Sequence, residues 1–165
     1  MSKLRFVFAL SMVGVLAACS SAKTAGNASN EPAISTQHQP VVQAAVDPLN
    51  DPNSPLARLN VYFDFDQYTV KSEYQSLLEQ HAQYLMQHPE HHVLIQGNTD
   101  ERGASEYNLA LGQKRAEAVR QALTTLGVSD AQLEAVSLGK EKPVVTGHDE
   151  ASWSQNRRAD LNYKQ

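Results

Sequence analysis

TDERGASEYNLALGQKR, Thr99 to Arg115, opens on a cluster of charges, crosses Gly103 and settles into a helical pattern. The run before it, HHVLIQGN (His91–Asn98), sets Val93 and Ile95 on one face and Leu94 and Gln96 on the other, the period of a strand. After it, Leu111, Val119, Ala122, Leu123 and Leu126 recur at helical spacing and Gly127 follows as a stop. The spacing predicts a helix from about Ser105 to Leu126. Asp100 then lies just past a strand end, and Arg115 lies on the helix that returns across the sheet. Leu111 is four residues before Arg115 and shares its face. A strand end and a returning helix bring both charges to one cleft, with Glu101-Arg102-Gly103 allowing a tight turn between them. Two readings stay open on spacing alone. The pair is a structural salt bridge, of little energetic worth if exposed. Alternatively it is a receptor for a zwitterion, in which the arginine fork suits a carboxylate and the aspartate accepts from an ammonium.

The pattern continues on both sides. NVYFDF (Asn60–Phe65) is β-rich, with Val61 and Phe63 on one face and Tyr62 on the other. Tyr74, Leu77, Leu78, His81 and Leu85 mark a helix, with Ser72 as its expected N-cap and Pro89 closing it. LEAVSLG (Leu133–Gly139) is a third strand, SWSQNRR (Ser152–Arg158) a short helical turn, and ADLNYK (Ala159–Lys164) a last strand with Leu161 and Tyr163 inward. Strands alternating with helices require crossovers and at least one parallel pair. The expected fold is α+β: a two-layer βαβαββ-type sandwich with helices packed on one mixed sheet, spanning residues 59–165.

Residues 1–58 read differently. Lys3 and Arg5 precede an apolar run, Phe6–Ala18, too short to span a bilayer comfortably. It ends at Leu16-Ala17-Ala18-Cys19, with small residues before the cysteine of a lipobox. Residues 1–18 are therefore expected to be a lipoprotein signal peptide, and Cys19 the lipidation site. Cys19 is the single cysteine of the sequence and forms no internal disulfide. Stable anchoring needs more than one acyl chain. Residues 19–58 follow as lipidated cysteine and linker. Five of the seven prolines fall between Pro32 and Pro55, and a segment so rich in proline and in small and polar residues is expected to be a flexible leash. Fully stretched, it would reach about 130 Å. Cleavage after Ala18 leaves 12 basic residues against 18 acidic ones, which argues against nucleic-acid binding.

Five stretches carry a resemblance: VYFDFD (61–66), GNTDERG (97–103), EYNLALGQKRAEAV (106–119), SLGKEKPVVTGHDE (137–150) and NRRADLNY (156–163). Together they resemble the lipoprotein branch of the OmpA C-terminal-like family, over Leu59–Lys164, and the lipobox and leash fit the same branch. The resemblance implies non-covalent binding of peptidoglycan through the meso-diaminopimelate residue of the stem peptide, with no catalysis and no cofactor. It assigns the ligand ammonium to Asp100 and the carboxylate to Arg115. Arg102 adds a cationic contact, Phe65 and Asp66 line the cleft, and Leu111 and Ala116 supply an apolar wall and close helix approach. Of Arg157 and Arg158, one is expected near the site and the other to brace the fold. Asn98 stands where relatives commonly have His; Asn donates and accepts hydrogen bonds as well. The resemblance further implies an outer-membrane anchor facing the periplasm, for which Ser20 after the cysteine fits enterobacterial sorting. It also implies membership of the Tol–Pal system, with the periplasmic propeller TolB and TolA as partners and a role in envelope integrity and division. Phe65, Asp66 and the Glu101-Arg102 loop are the surface expected to serve both propeller and wall.

Other constellations are set aside. HPEHH (His88–His92) suggests metal, but His91 and His92 enter a strand and point to opposite faces. A peptidoglycan hydrolase is the alternative function. It needs two carboxylates, one with raised pKa, whereas the arginines near Asp100 lower its pKa. A porin or motor protein sharing the module needs barrel strands or a transmembrane helix upstream, which the sequence does not show.

Overall fold

Val93 and Ile95 are buried while Leu94 and Gln96 are half-buried, so the alternation read from the sequence is the pleat of the central strand. The structure, a computed structural model, describes residues 47–164; the predicted signal peptide, Cys19 and the linker to residue 46 lie outside them. Four strands, β1 (Asn60–Tyr62), β2 (His92–Asn98), β3 (Leu133–Gly139) and β4 (Arg158–Lys164), form one sheet in the order β1-β4-β2-β3. β2 and β3 are parallel, joined by the crossover helix α2 (Ser105–Thr125). β4 pairs antiparallel with both β1 and β2. This is the expected α+β fold with a mixed sheet.

Helix α1 (Gln75–Gln87) and α2 close one face of the sheet. Leu77, Leu78, Ala82 and Leu85 of α1 meet Ala116, Val119 and Leu123 of α2 over Val61, Val93, Ile95, Ala159 and Leu161. Each such large apolar side chain contributes about 1.5–3 kcal/mol on burial. A shorter helix, α3 (Glu150–Asn156), precedes β4; Asp149 caps it by accepting from the Ser152 amide.

Three features of the sequence reading are corrected. β1 ends at Tyr62: the Phe63 amide still donates to the in-register Arg157 carbonyl, but the Arg157 amide is turned back to the Trp153 carbonyl at the end of the helix before β4, so the next rung is only half made. Ser72 is no N-cap of α1; it lies within a 3-10 turn, Ser72–Tyr74, whose entry has no side-chain cap. Residues 47–58, read by composition as leash, form turns and a 3-10 turn with Leu56 buried. Tyr84 Oη donates to Asp47, and the buried His81 bridges the Arg58 carbonyl (2.9 Å) and Tyr163 Oη (2.8 Å). Leu56→Ala is expected to cost about 2 kcal/mol. A chain begun at Leu59 should melt about 10 °C below one begun at Asp47, measured by thermal unfolding; equal Tm values would show these contacts to be idle.

The sheet end that carries the site is re-aimed by a bulge. Gly97 pairs with Ser137 but Asn98 with Gly139, and the Thr99 amide donates to the Gly139 carbonyl. The extra residue, Leu138, lies on β3, the strand that such a bulge bends, while the chain of β2 runs on through Thr99 to Asp100 at the cleft.

Candidate functional site

Past the bulge lies a cleft of about 240 Å³, lined by Phe65, Asp66, Thr99, Asp100, Arg102, Gly103, Tyr107, Asn108, Leu111, Arg115 and Arg157. Six of the seven expected site residues, Asp100, Arg115, Arg102, Phe65, Asp66 and Leu111, meet here. Ala116 does not line it. It has no exposed surface and belongs to the core, where its amide backs the close approach of α2 to Gly97.

Asp100 and Arg115 share the cleft without an ion pair between them. Asp100 is held instead by two other arginines. Its Oδ1 accepts from the Arg102 amide and Nε, both at 3.1 Å, and its Oδ2 from Arg102 Nη2 at 2.6 Å and Arg157 Nη1 at 3.4 Å. Burial pushes the Asp100 carboxyl upward, but the hydrogen bonds and charges of Arg102 and Arg157 outweigh it and hold the pKa below the ordinary aspartate value. A lowered folded-state pKa contributes stability above the unfolded value of about 3.8, lost as pH falls through the folded one. Asp100→Asn should therefore be less stable at neutral pH and show a shallower loss of stability below about pH 4. Urea unfolding at pH 7 and pH 3 reads this; parallel curves for the two proteins would contradict it.

Arg115 is fully buried. Its Nε donates to the Gln67 carbonyl (2.8 Å), Nη1 to that of Asn98 (2.8 Å) and Nη2 to that of Asp64 (3.1 Å). Desolvation, then the nearby charge of Arg157, lowers its pKa to about 10, against the opposing pull of Asp100 and Asp66; it stays a cation at neutral pH. Asp64 and Gln67 flank Asp66, which adopts φ 57°, a left-handed conformation that Asp tolerates better than most residues. Tyr107 Oη donates to the Asp66 carboxylate. Arg115 is thus the brace of the Phe65–Asp66 turn as well as the charge at the cleft floor. One N–H on each of its terminal nitrogens remains uncommitted.

The sequence reading missed part of the site. The Arg102 guanidinium is sandwiched between Phe65 (4.3 Å) and Trp153 (4.0 Å), a cation–π stack. Trp153 Nε1 donates to Glu101, which also holds His148. Asn108 Nδ2 fixes the turn by donating to the Arg102 carbonyl. Asn108 lies one turn before Leu111 on α2, so the helical period could have found it; nothing local marks Trp153. Between the two terminal arginines the structure decides. Arg157 lines the cleft, while Arg158 pairs with Asp160 at 2.9 Å and braces the sheet.

A family model described as the OmpA family matches residues 62–157. The chain is 53% identical over 103 residues to the peptidoglycan-associated lipoprotein of Pasteurella multocida (strain Pm70), covering 62% of this chain and 69% of the relative. It is 78% identical to the crystal structure of the peptidoglycan-associated lipoprotein from Burkholderia pseudomallei, with a TM-score of 0.71 over 72% of this chain and 100% of that one. The C-terminal domain of Helicobacter pylori MotB shares the fold at 20% identity, with a TM-score of 0.60 over 64% of this chain and 84% of that one. The chain belongs to the OmpA family, and within it to the peptidoglycan-associated lipoproteins.

Proposed function

We propose that this chain binds peptidoglycan non-covalently through the zwitterionic head of diaminopimelate and, anchored by lipid at Cys19, ties the outer membrane to the wall from the periplasmic side. The observation that carries the reading is that Asp100 and Arg115 face one cleft without neutralising each other. The similar proteins from Pasteurella multocida and Burkholderia pseudomallei are named for association with peptidoglycan. In this reading the ligand ammonium takes Asp100 in exchange for the Arg102 side chain, which is 34% exposed and so has room to swing out. The ligand carboxylate is drawn by Arg115 and Arg157 at the floor, and Leu111 and Phe65 cover its methylenes. Hydrolysis of the wall has less support, because a general acid needs a raised pKa and Asp100 has a lowered one.

The domain division belongs to the same proposal: signal peptide 1–18, lipidated Cys19 with a leash to about residue 46, then the folded domain. So does membership of the Tol–Pal system, with roles in envelope integrity and division. A TolB-type propeller would engage Phe65, 59% exposed, with Asp66 and the Glu101-Arg102 loop, in competition with the wall; TolA is a further partner. Cosedimentation with purified diaminopimelate-type sacculi tests the wall contact: the wild-type chain should pellet and Asp100→Ala should stay in solution while remaining folded. Equal pelleting of both would overturn it. A pull-down with the cognate propeller, expected to fail for Phe65→Ala, tests the partner.

A further inference from the structure

The turn between α1 and β2 places His88, Glu90 and His91 together, away from the cleft. The sequence reading set this tract aside because His91 and His92 point to opposite faces. The structure keeps that separation, since His92 Nδ1 lies 3.2 Å from the Ala131 carbonyl. It instead folds His91 back onto His88. The His91 amide donates to the His88 carbonyl at 3.0 Å, closing a tight turn with Pro89 at its second position, where the fixed φ of proline fits. One ligand atom from each of His88, Glu90 and His91 lies within 4.8 Å of the others. Glu90 Oε1 is 3.3 Å from His88 Nδ1 and 3.8 Å from His91 Nε2. Two ligands bound to zinc at about 2.0–2.2 Å and the tetrahedral angle stand about 3.3–3.6 Å apart.

Two further observations distinguish this turn from a chance cluster. Gln132 is buried, and its Nε2 lies 3.0–3.1 Å from the carbonyls of Leu85, His88 and His91. The backbone that carries the three side chains is therefore fixed from beneath, as a preorganised site requires. The His91 imidazole, by contrast, makes no hydrogen bond among the described residues, and its Nδ1 is buried without a partner. The Nε2 that faces Glu90 at 3.8 Å is not hydrogen-bonded either, and it is the atom placed to ligate. The side chain of Glu90 is 65% and that of His88 40% exposed, so the site opens to solvent.

We propose that His88, Glu90 and His91 bind one divalent transition-metal ion of the zinc class, in a three-ligand site whose fourth position is open to water. Two imidazoles and a carboxylate suit zinc and exclude magnesium or calcium, which prefer oxygen. Binding requires neutral imidazoles and so competes with protons.

The test is calorimetric titration of Zn²⁺ alone into the full chain, purified without a histidine tag and stripped of metal. One equivalent should bind, and affinity should drop at least about tenfold in both His88→Gln and His91→Gln. His92→Gln should bind as wild type does. Far-UV dichroism confirms that each variant is folded; His88 and Glu90 are surface positions, and Glu90→Gln is the variant least able to disturb the core. No binding by the wild-type chain overturns the assignment. So does retention of wild-type affinity by His88→Gln, His91→Gln and Glu90→Gln, or an equal loss in His92→Gln.

Discussion

Arg115→Ala is expected to lower the stability of the domain by about 3 kcal/mol or more. The substitution removes three charge-assisted hydrogen bonds at once and leaves the carbonyls of Asp64, Gln67 and Asn98 facing a void. Two of those carbonyls flank the left-handed Asp66, so the damage falls on the Phe65–Asp66 side of the cleft. Lysine is no rescue: a single ammonium cannot serve three divergent acceptors as a planar fork does. Arg115→Lys should restore charge but only part of the stability. Thermal unfolding of both variants checks this, and a Tm within a degree of wild type for Arg115→Ala would show that the brace carries no load. The same geometry warns against reading a loss of wall binding in Arg115→Ala as loss of a ligand contact, because the variant loses the shape of the cleft as well.

Gly97→Ala is expected to be worse. A Cβ at Gly97 would stand 1.8 Å from the Gly112 carbonyl oxygen and 3.2 Å from the Ala116 amide nitrogen. Both are backbone atoms of α2, so no side chain can step aside. The helix would have to lift off β2, costing more than about 3 kcal/mol. Gly112→Ala is milder. Its closest neighbour, Ser137 Oγ at 2.3 Å, is a side-chain atom that can rotate, though the Gly97 carbonyl oxygen at 2.8 Å still presses. The expected order of stability is wild type, then Gly112→Ala, then Gly97→Ala, read by denaturant midpoint. A reversed order would mean that α2 does not seat on the sheet through this glycine pair.

The strands and helices were legible because burial imposes periods. Val93 and Ile95 alternate with Leu94 and Gln96, and Val119 and Leu123 recur along α2, since each element has one face on the core. Residues 47–58 were misread because composition reports the average segment. One buried leucine and two hydrogen bonds, from Tyr84 Oη to Asp47 and from His81 to the Arg58 carbonyl, suffice to hold this one down. The site was legible where chemistry is local, at Asp100, Arg102 and Arg115. It was hidden where partners are backbone atoms or distant in sequence. No pattern in the chain announces that Arg115 spends three donors on carbonyls. Nor does any pattern bring Arg157 to Asp100 from 57 residues away or Trp153 onto Arg102. Ala116 serves the close helix approach expected of it and not the cleft wall, because a small residue four positions from Gly112 packs the helix onto the sheet.

The central claim is that Asp100 receives the ammonium of a diaminopimelate head. Calorimetry of residues 47–165 with a soluble diaminopimelate stem peptide tests it most directly, run beside Asp100→Ala and a stem peptide carrying the head acetylated on its amine. The account predicts saturable binding by wild type, lost by at least about tenfold both in folded Asp100→Ala and with the acetylated peptide. Equal affinity of Asp100→Ala and wild type for the free head would contradict it and move the wall contact elsewhere on the domain.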